Sequence, residues 1–232
     1  MFSRTELVLG REALERLSQS HVAVFGVGGV GGYVAEGLAR AGVGELTLVD
    51  YDTVAESNRN RQLAALGSTV GRYKAEVLGE RILDINPGAK VHTVLQFVGP
   101  ENVASLLPAA LDYAVDAIDT VSSKLLLIET AAARGIPILS SMGTGNKLDP
   151  TKFRITTIDK TSVCPLARVM RRELVRRGLG KTKVLFSTEQ PTGRTVQQDG
   201  TRKATPGSVS WVPSCAGLMI AGAVVMELIN KA

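Results

Sequence analysis

The sequence is poor in the residues from which metal centres and disulfide frameworks are built. Its 232 residues include two cysteines, Cys164 and Cys215, and two histidines, His21 and His92. Two cysteines are too few for a zinc site made of two CxxC pairs or for a disulfide framework. One histidine precedes a predicted strand and the other lies within one, so we interpret both as structural. This cysteine usage indicates a reducing compartment, and we expect a cytoplasmic protein.

Long apolar runs are also lacking. The N-terminal stretch MFSRTELVLGREAL has no apolar signal core. The longest apolar segment, 215–229, has 15 residues and includes Glu227, whereas a membrane-spanning helix needs roughly 20. We therefore expect neither a signal sequence nor a membrane span.

The sequence also lacks the G-x-x-x-x-G-K-[ST] spacing, which excludes a P-loop.

The composition that remains is typical of a soluble globular protein. Apolar residues make up 44% of the chain and charged residues 21%, which excludes a disordered chain. The absence of repeats and linker signatures over 232 residues predicts one domain, 1–232. The net charge of +5 favours a polyanionic partner, although charge alone does not identify that partner as nucleic acid.

The stretch 21–50, HVAVFGVGGVGGYVAEGLARAGVGELTLVD, organises the rest of the chain. A β-branched run at 22–25 predicts a buried strand, after which G-x-G-x-x-G must turn the chain into a helix at about 30–40. The motif consists of Gly26, Gly28 and Gly31, with Gly29 between them. Asp50 closes a second strand at 46–49, where a carboxylate is placed to accept hydrogen bonds from ribose hydroxyls. This βαβ unit predicts an adenine-nucleotide site and leaves the nucleotide open.

Strands and helices alternate along the remaining sequence. Further strands are predicted at 91–98, 113–118, 138–141, 153–158 and 185–188. Further helices are predicted at 71–85, 100–107, 122–134, 165–177 and 215–230. This alternation predicts an α/β fold, a Rossmann-like doubly wound sheet with helices on both faces. Residues 189–212 are rich in Gly, Pro, Thr and Gln, and we expect a flexible crossing loop there.

Polar residues outside the glycine motif indicate whether the bound nucleotide is NAD or ATP. The motif alone favours NAD over ATP, because Rossmann dehydrogenases are numerous. A dehydrogenase needs an apolar slot for nicotinamide and usually an acid or base at the hydride site, and the two histidines are assigned elsewhere. The sequence offers instead Arg61, Lys74 and Asp119, a set suited to a triphosphate and a metal ion. These residues favour ATP with Mg²⁺.

Five motifs follow one another along the chain. They are GVGGVG at 26–31, LVDYD at 48–52, SNRNRQ at 57–62, VGRYKAE at 70–76 and VDAIDTVSSK at 115–124. With these motifs the whole chain resembles the ThiF-like family of ATP-dependent carboxylate-adenylating enzymes, which are related to the ubiquitin-activating enzymes. The resemblance implies the fold of that adenylation domain, ATP and Mg²⁺ as cofactors, and a homodimer.

The resemblance also implies roles for individual residues. Asp50 is expected to hold the ribose and Asp119 the magnesium ion. Arg4 resembles an N-terminal arginine that reaches the partner protomer's active site in this family. The implied nucleotide-binding residues are Gly26, Gly28, Gly29, Gly31, Asp50, Asp52, Asn58, Arg61, Gln62 and Lys74. The implied catalytic residues are Arg4, Arg61, Lys74 and Asp119.

Three segments of the second half carry a closer resemblance. They are GNKLDPTKFRITTIDKT at 145–161, PLARVMRREL at 165–174 and VLFSTEQ at 184–190. With them the chain is similar to the tRNA threonylcarbamoyladenosine dehydratases, in which ATP activates a threonyl carboxylate on tRNA and cyclisation then releases AMP. Four arginines at helical spacing form a face suited to an RNA backbone. They are Arg168, Arg171, Arg172 and Arg176.

Two alternatives stay open. The first is an adenylyltransferase that activates the C-terminal carboxylate of a ubiquitin-like sulfur carrier, with a sulfur-relay protein as partner. It would give a role to Cys164, which precedes a predicted helix start, where a helix dipole can activate a thiol. The segment 164–167 lacks the second cysteine of a CxxC pair, so we expect no structural zinc. The second alternative is a non-catalytic nucleotide-binding scaffold, which would not need Arg61, Lys74 and Asp119 together.

Overall fold

A seven-stranded sheet forms the centre of the computed structural model, which describes residues 1–192, 195–197 and 204–230. Its strands are β1 His21–Phe25, β2 Glu45–Val49, β3 Lys90–Val94, β4 Tyr113–Asp116, β5 Ile138–Ser141, β6 Phe153–Thr157 and β7 Lys183–Ser187. Their order is β3-β2-β1-β4-β5-β7-β6, and only β6 runs antiparallel to its neighbour within this sheet. The strand order reverses between β1 and β4, so a crevice lies at their carboxyl ends.

Helices cover both faces of this sheet. They are α1 Ser3–Leu9, α2 Arg11–Gln19, α3 Gly31–Ala41, α4 Lys74–Ile85, α5 Val103–Leu106, α6 Val121–Ala133, α7 Pro165–Arg176 and α8 Trp211–Ile229. Helices α3, α4 and α8 share one apolar core with the sheet. Helices α5 and α6 share a second core with the opposite face, and α6 and α7 share a third. The prediction of a Rossmann-like doubly wound sheet is confirmed.

Strand β1 shows why an unbroken apolar run marks the middle of the sheet. Val22 and Val24 point into the core below α3 and α8, while Ala23 and Phe25 point into the core below α5 and α6. All four side chains are fully buried. Because successive side chains of a strand face opposite sides, a strand covered on both faces must be apolar at every position.

Helices α3 and α8 pack closely because both carry glycines at their contact. A Cβ atom at Gly217 would lie 2.5 Å from the carbonyl oxygen of Val30, and one at Gly37 would lie 2.7 Å from Ala221 Cβ. Among the described residues, α8 is the one helix whose length and composition would allow it to span a membrane, and half of that window is buried. Core helices of globular proteins have the same properties, and its packing on α3 is of this kind.

Several element boundaries differ from the predicted ones. Strand β3 ends at Val94 instead of residue 98, so residues 95–98 leave the sheet. Helix α4 begins at Lys74 instead of residue 71, because Gly71 has φ +88° and Thr53 forms a β-bridge with Tyr73. Strand β4 ends at Asp116, so Asp119 lies in the turn that follows.

The predicted flexible loop at 189–212 is only partly a loop. Thr195–Gln197 (β8) pairs in an antiparallel manner with Ala204–Pro206 (β9), and α8 already begins at Trp211. Residues 193–194 and 198–203, among them the basic residues Arg194, Arg202 and Lys203, lie outside the described residues. The earlier start of α8 extends this helix to 19 residues, which is longer than the 15-residue apolar run expected from the sequence.

Two glycines of α8 allow a matched test of the α3–α8 contact. Gly217→Ala is expected to lower the free energy of unfolding by about 1–3 kcal/mol, because the added methyl group overlaps Val30 and Tyr33. Gly222→Ala is the control, since no atom lies within 4 Å of its Cβ position. This control is expected to raise stability by about 0.5–1 kcal/mol. Urea unfolding measures both, and equal effects would contradict the packing described here.

Candidate active site

A cavity of about 700 Å³ opens at the carboxyl ends of the parallel strands. The turns after β1, β2 and β4 line one part of it, together with Asn58, Arg61, Gln62 and Lys74. We call this part the nucleotide half. The turn after β5, Leu166 and Pro206, Gly207 and Ser208 line the other part, which we call the acceptor half. The nucleotide half spans the point between β1 and β4 where the strand order reverses, which is the usual ligand position in open α/β sheets.

The glycine motif forms the turn from β1 into α3. Gly26 has φ +80°, and a Cβ atom there would lie 2.9 Å from the backbone of Ala117. A Cβ atom at Gly31 would lie 1.8 Å from the carbonyl oxygen of Gly26. Gly28 and Gly29 line the cavity itself. The first and last glycines therefore fix the tight turn, and the middle ones expose backbone near the amino end of α3, where anions bind favourably.

Asp50 lies at the floor of the nucleotide half and is 8% exposed. Its Oδ2 atom accepts a hydrogen bond from the Val27 N–H at 2.8 Å, and its Oδ1 atom accepts one from the Asp52 N–H at 2.9 Å. Burial raises the pKa of this carboxyl group above its ordinary value, against the effect of these hydrogen bonds. A carboxylate has about four acceptor positions, so Asp50 can still accept a hydrogen bond from a ligand hydroxyl.

Lys74 and Asp52 form an ion pair beside Asp50. Lys74 is the first residue of α4 and is 6% exposed, and its Nζ lies 2.8 Å from Asp52 Oδ2. The backbone N–H of Lys74 also donates to the carbonyl oxygen of Asp52 at 3.0 Å. A buried ammonium group attracts a phosphate more strongly than an exposed one does, since less water screens it. Both residues, which are predicted to bind the nucleotide, line the same part of the cavity.

The SNRNRQ motif forms the wall above the glycine turn. Arg61 Nη1 donates to the carbonyl oxygen of Ser57 at 3.0 Å and to Asn60 Oδ1 at 2.8 Å. Gln62 lies against Gly28, and its Oε1 atom is buried without a hydrogen-bond partner among the described residues. A buried acceptor of this kind is normally satisfied by a ligand or an ordered water. The motif therefore supplies one guanidinium group and one amide acceptor to the nucleotide half.

Asp119 lies on the exposed turn after β4 and lines the cavity. Thr120 Oγ1 donates to its Oδ1 atom at 3.4 Å. Within the described part of the chain, no group of three or more His, Cys, Asp or Glu side chains is arranged to hold a metal ion. A single carboxylate suits Mg²⁺ that is held mainly by the phosphates of a nucleotide and by water. The lining of the cavity, with the Asp119 carboxylate, is therefore compatible with the predicted magnesium ion.

Sequence reasoning missed a buried ion pair below this turn. Lys124 and Asp116 are both fully buried, and Lys124 Nζ lies 2.8 Å from Asp116 Oδ2. The ammonium group also donates to the carbonyl oxygens of Ser141 at 2.8 Å and Ile118 at 3.1 Å. A signal existed, because Lys124 ends the VDAIDTVSSK motif and directly precedes an apolar helical run. That signal does not by itself predict burial, since a lysine on a helix is usually solvated.

The pair connects the two halves of the cavity. Asp116 ends β4 and accepts a hydrogen bond from the Ile118 N–H at 3.1 Å, which holds the turn that carries Asp119. Ser140 Oγ donates to Asp116, and Ser141 accepts from Lys124 at the end of β5. One ammonium group thus fixes the ends of two neighbouring strands from which both halves of the cavity begin.

Cys164 lies behind the wall of the acceptor half. It precedes Pro165 at the start of α7 as predicted, but it is 2% exposed, and its Sγ lies 4.0 Å from the carbonyl oxygen of Gly143. Lys147 is buried nearby and donates to the carbonyl oxygen of Glu189 at 2.8 Å. Burial lowers the pKa of the Lys147 ammonium group, against the opposing effect of Cys164. Gly143 and not the thiol lines the cavity.

The α7 arginines do not all point to solvent. Arg168, Arg172 and Arg176 are exposed, and the last two pair with Glu173. Arg171 is only partly exposed, because its guanidinium group donates to the carbonyl oxygen and hydroxyl of Thr161. Helix α7 begins next to the acceptor half, which Leu166 lines. Three of the four predicted arginines therefore form an exposed row that leads away from the cavity, while Arg171 also fastens the helix.

Arg4 lies far from the cavity of its own chain. It is exposed on α1, and the ring of the neighbouring Phe2 lies 3.6 Å from the Cβ position of Gly42. Gly42 caps the carboxyl end of α3, whereas the glycine turn lies at the amino end. An 11-residue helix is about 16 Å long. Arg4 therefore cannot contribute to the cavity from within the same protomer without leaving this position.

The model of the ThiF family matches residues 2–231 of the chain. The chain belongs to the ThiF family. This membership confirms the family predicted from the five motifs. The glycine turn, Asp50, Arg61, Lys74 and Asp119 belong to these motifs and lie around one cavity.

Two relatives within the family share much of their length with this chain. It is 45% identical over 240 aligned residues to the tRNA threonylcarbamoyladenosine dehydratase of Bacillus subtilis, with 99% of this chain and 94% of the relative covered. It is 42% identical over 196 residues to the Escherichia coli protein of the same name, with 81% and 73% covered.

Solved structures of the E. coli tRNA N6-threonylcarbamoyladenosine dehydratase have the same fold. The complex with ATP superimposes with a TM-score of 0.90 and 36% identity, and the complex with AMP with a TM-score of 0.91 and 36% identity. Each covers 99% of this chain and 94% of the solved chain. The prediction of the ThiF-like adenylation fold is confirmed.

The buried ion pair generates a test with a matched control. Lys124→Met is expected to lower the free energy of unfolding by about 3–5 kcal/mol, because Asp116 then keeps an uncompensated buried charge. Lys181→Met is the control, since it removes an ion pair with Asp159 whose lysine side chain is 80% exposed. The control is expected to cost less than about 1 kcal/mol. Urea unfolding compares the two variants, and similar losses would show that the buried pair holds nothing in place.

Proposed function

We propose that this chain is an ATP-dependent tRNA threonylcarbamoyladenosine dehydratase. The observation that carries the proposal is the 45% identity to the B. subtilis dehydratase, which extends over 99% of this chain and 94% of that protein. The extent matters because it includes the acceptor half of the cavity as well as the nucleotide half. We also propose that residues 1–232 act as one adenylation domain in the cytoplasm, where tRNA is modified.

The first step is adenylation of the substrate carboxylate. A carboxylate oxygen attacks the α-phosphorus of ATP, a new P–O bond forms, and pyrophosphate leaves with the electrons of the broken bond. Lys74 and Arg61 lie where they can neutralise charge on the phosphates. Asp50 orients the nucleoside by accepting from the ribose. The protein supplies position and charge, and no side chain needs to act as a nucleophile.

Magnesium belongs to this proposal as a cofactor of the nucleotide. Asp119 would hold it, together with oxygens of the triphosphate and water. When bound, it would neutralise negative charge on the phosphates of ATP.

The second step closes a ring on the substrate. The ureido nitrogen of the threonylcarbamoyl group attacks the activated carbonyl carbon, and AMP leaves with the electrons of the broken C–O bond. The nitrogen loses a proton, so the nucleoside loses one water overall while ATP becomes AMP and pyrophosphate. Because AMP is the leaving group, neither Cys164 nor Cys215 has to react. The burial of Cys164 agrees with this, so the sulfur-carrier reaction and a sulfur-relay partner stay predictions without structural support.

The substrate is proposed to approach along α7. The exposed row of Arg168, Arg172 and Arg176 begins near the acceptor half and can follow a phosphate backbone. An unpaired nucleotide of an RNA loop can then enter the cavity, since single-stranded loops present their bases to proteins. Partial neutralisation by Glu173 lowers the net positive charge of the row. RNA binding is therefore expected to be sensitive to salt but moderate in strength.

A homodimer brings Arg4 of one protomer to the active site of the other. Arg4 is remote from its own cavity, so it can serve as a catalytic residue only in a second copy. Apolar side chains are exposed on α1 and α8, and the most exposed are Leu7 at 87%, Val8 at 82% and Leu218 at 51%. Unpartnered apolar surface of this kind is typical of subunit interfaces. These observations support a dimer in which helix α1 of each protomer reaches the active site of the other.

Mass spectrometry of tRNA nucleosides tests the proposed reaction. Incubation with ATP and magnesium is expected to convert threonylcarbamoyladenosine to a product that is lighter by one water, and Lys74→Ala or Asp119→Ala is expected to lower the rate roughly 100-fold or more. Lys90→Ala is the control, because Lys90 lies at the amino end of β3, away from the cavity. Unchanged nucleosides with intact ATP binding would contradict the reaction. Full AMP release by Asp119→Ala would contradict the adenylation mechanism.

Mixing two inactive variants tests the contribution of Arg4. Arg4→Ala keeps the cavity but lacks the arginine, whereas Lys74→Ala keeps the arginine but has a defective cavity. Co-refolded mixtures are expected to recover about a quarter of the sites, because half of randomly formed dimers pair one variant with the other. The dehydration rate measures the recovery. A mixture as inactive as its components, with dimers present by light scattering, would show that Arg4 does not act across the interface.

A further inference from the structure

The backbone from Pro206 to Ser208 lines the acceptor half, although it belongs to a segment expected to be a loop. A short segment outside the central sheet keeps one conformation only when hydrogen bonds satisfy its polar backbone groups. Two asparagine side chains, from opposite sides of the cavity, bond to consecutive residues of this segment. Both asparagines lie outside the predicted site set.

Asn146 holds the segment from the side of β5. Its backbone N–H donates to the carbonyl oxygen of Gly207 at 2.8 Å, and its Oδ1 atom accepts from the Gly207 N–H at 2.6 Å. Its carbonyl oxygen accepts from the Thr192 N–H at 2.9 Å. Asn146 adopts φ 57°, a left-handed conformation that asparagine tolerates better than most residues. Asn146 thus bonds to both Thr192 and Gly207, which flank the segment that contains β8 and β9.

Asn60 holds the next residue from the side of the nucleotide. Its Nδ2 atom donates to the carbonyl oxygen of Ser208 at 2.9 Å. Its Oδ1 atom accepts from Arg61 Nη1 at 2.8 Å. The amide therefore stands between a predicted phosphate-binding arginine and the wall of the acceptor half. A movement of Arg61 or of Ser208 therefore shifts the Asn60 side-chain amide, which bonds to both.

We propose that Asn146 and Asn60 are positioning residues that hold Pro206–Ser208 as the wall of the acceptor half. This inference rests on the proposed function and extends it to substrate selection. The wall confines the threonylcarbamoyl group beside the adenylated carboxylate and keeps water away from it. If the wall moves, water can add to the activated carbonyl carbon, and hydrolysis then returns the carboxylic acid and AMP without ring closure. ATP binding stays intact when Asn146 is changed, whereas Asn60 also accepts from the predicted phosphate-binding Arg61, so a change there affects ATP binding as well.

Two conservative variants remove one contact each. Asn146→Gly keeps the left-handed backbone and its N–H and C=O groups, and removes the acceptor for Gly207. Asn60→Asp keeps the acceptor for Arg61 and removes the donor to Ser208. Arg59→Gln is the matched control, because Arg59 is exposed, pairs with Glu56 and does not line the cavity.

The experiment measures three quantities for wild type and each variant. The KM for the modified tRNA is expected to rise ~5- to 10-fold in Asn146→Gly and Asn60→Asp, since each loses one hydrogen bond. The dissociation constant for ATP is expected to change less than about twofold in Asn146→Gly. It is expected to rise in Asn60→Asp, because the added negative charge lies beside Arg61. AMP released per nucleoside cyclised is expected to rise from about one to roughly two or more, a ratio that simple loss of stability would not change. Arg59→Gln is expected to match wild type in all three.

Hydrogen exchange separates this proposal from the proposed function. Exchange of backbone amide hydrogens in a peptide that covers residues 206–210 is expected to accelerate about tenfold in both variants, whichever substrate the protein acts on. Unchanged exchange, or a ratio of AMP to product that stays at wild-type level, would overturn the role of the two asparagines. Wild-type protein that leaves threonylcarbamoyladenosine unchanged would instead overturn the proposed function, and the exchange result would still decide the positioning role.

Discussion

The geometry of the cavity depends on one buried ammonium group, Lys124 Nζ. It contacts Asp116 at the end of β4 and Ser141 at the end of β5, two strands that pair side by side. The turn with Asp119 follows one strand, and the acceptor half begins after the other. A buried ion pair is often no more stabilising than an apolar replacement, so its value here lies in fixing positions. The chemistry proposed for this chain requires that phosphates and acceptor be held at a defined separation.

The two halves of the cavity are built in different ways. The nucleotide half includes the ends of β1, β2 and β4, the glycine turn and the first residue of α4, together with the SNRNRQ segment. The acceptor half includes Pro206–Ser208, which no strand of the central sheet supports and which two asparagine side chains hold instead. A scaffold that recognises adenine nucleotides in many proteins is thus combined with a wall that depends on a few side chains. Such walls are where relatives with one fold can differ in substrate.

The sequence predicted the parts of this structure that are local. The period of the apolar residues and the G-x-G-x-x-G spacing located β1, α3, β2 and the glycine turn between β1 and α3, because these signals lie within 30 consecutive residues. It did not predict Lys124 as a buried residue, since burial depends on the pairing of β4 and β5. It also did not predict the roles of Asn60 and Asn146. Their partners Ser208 and Gly207 are 148 and 61 residues away along the chain.

In the proposed reaction, a carboxylate oxygen of the tRNA substrate bonds to the α-phosphorus of ATP. The fate of that oxygen can be followed by isotope transfer, with tRNA that carries ¹⁸O in the threonyl carboxylate. AMP recovered after one turnover is expected to contain the label, because the oxygen lost from the nucleoside leaves on the adenylate. Label that appears in inorganic phosphate or pyrophosphate, or ADP as the product, would show attack at another phosphorus and rule out adenylation.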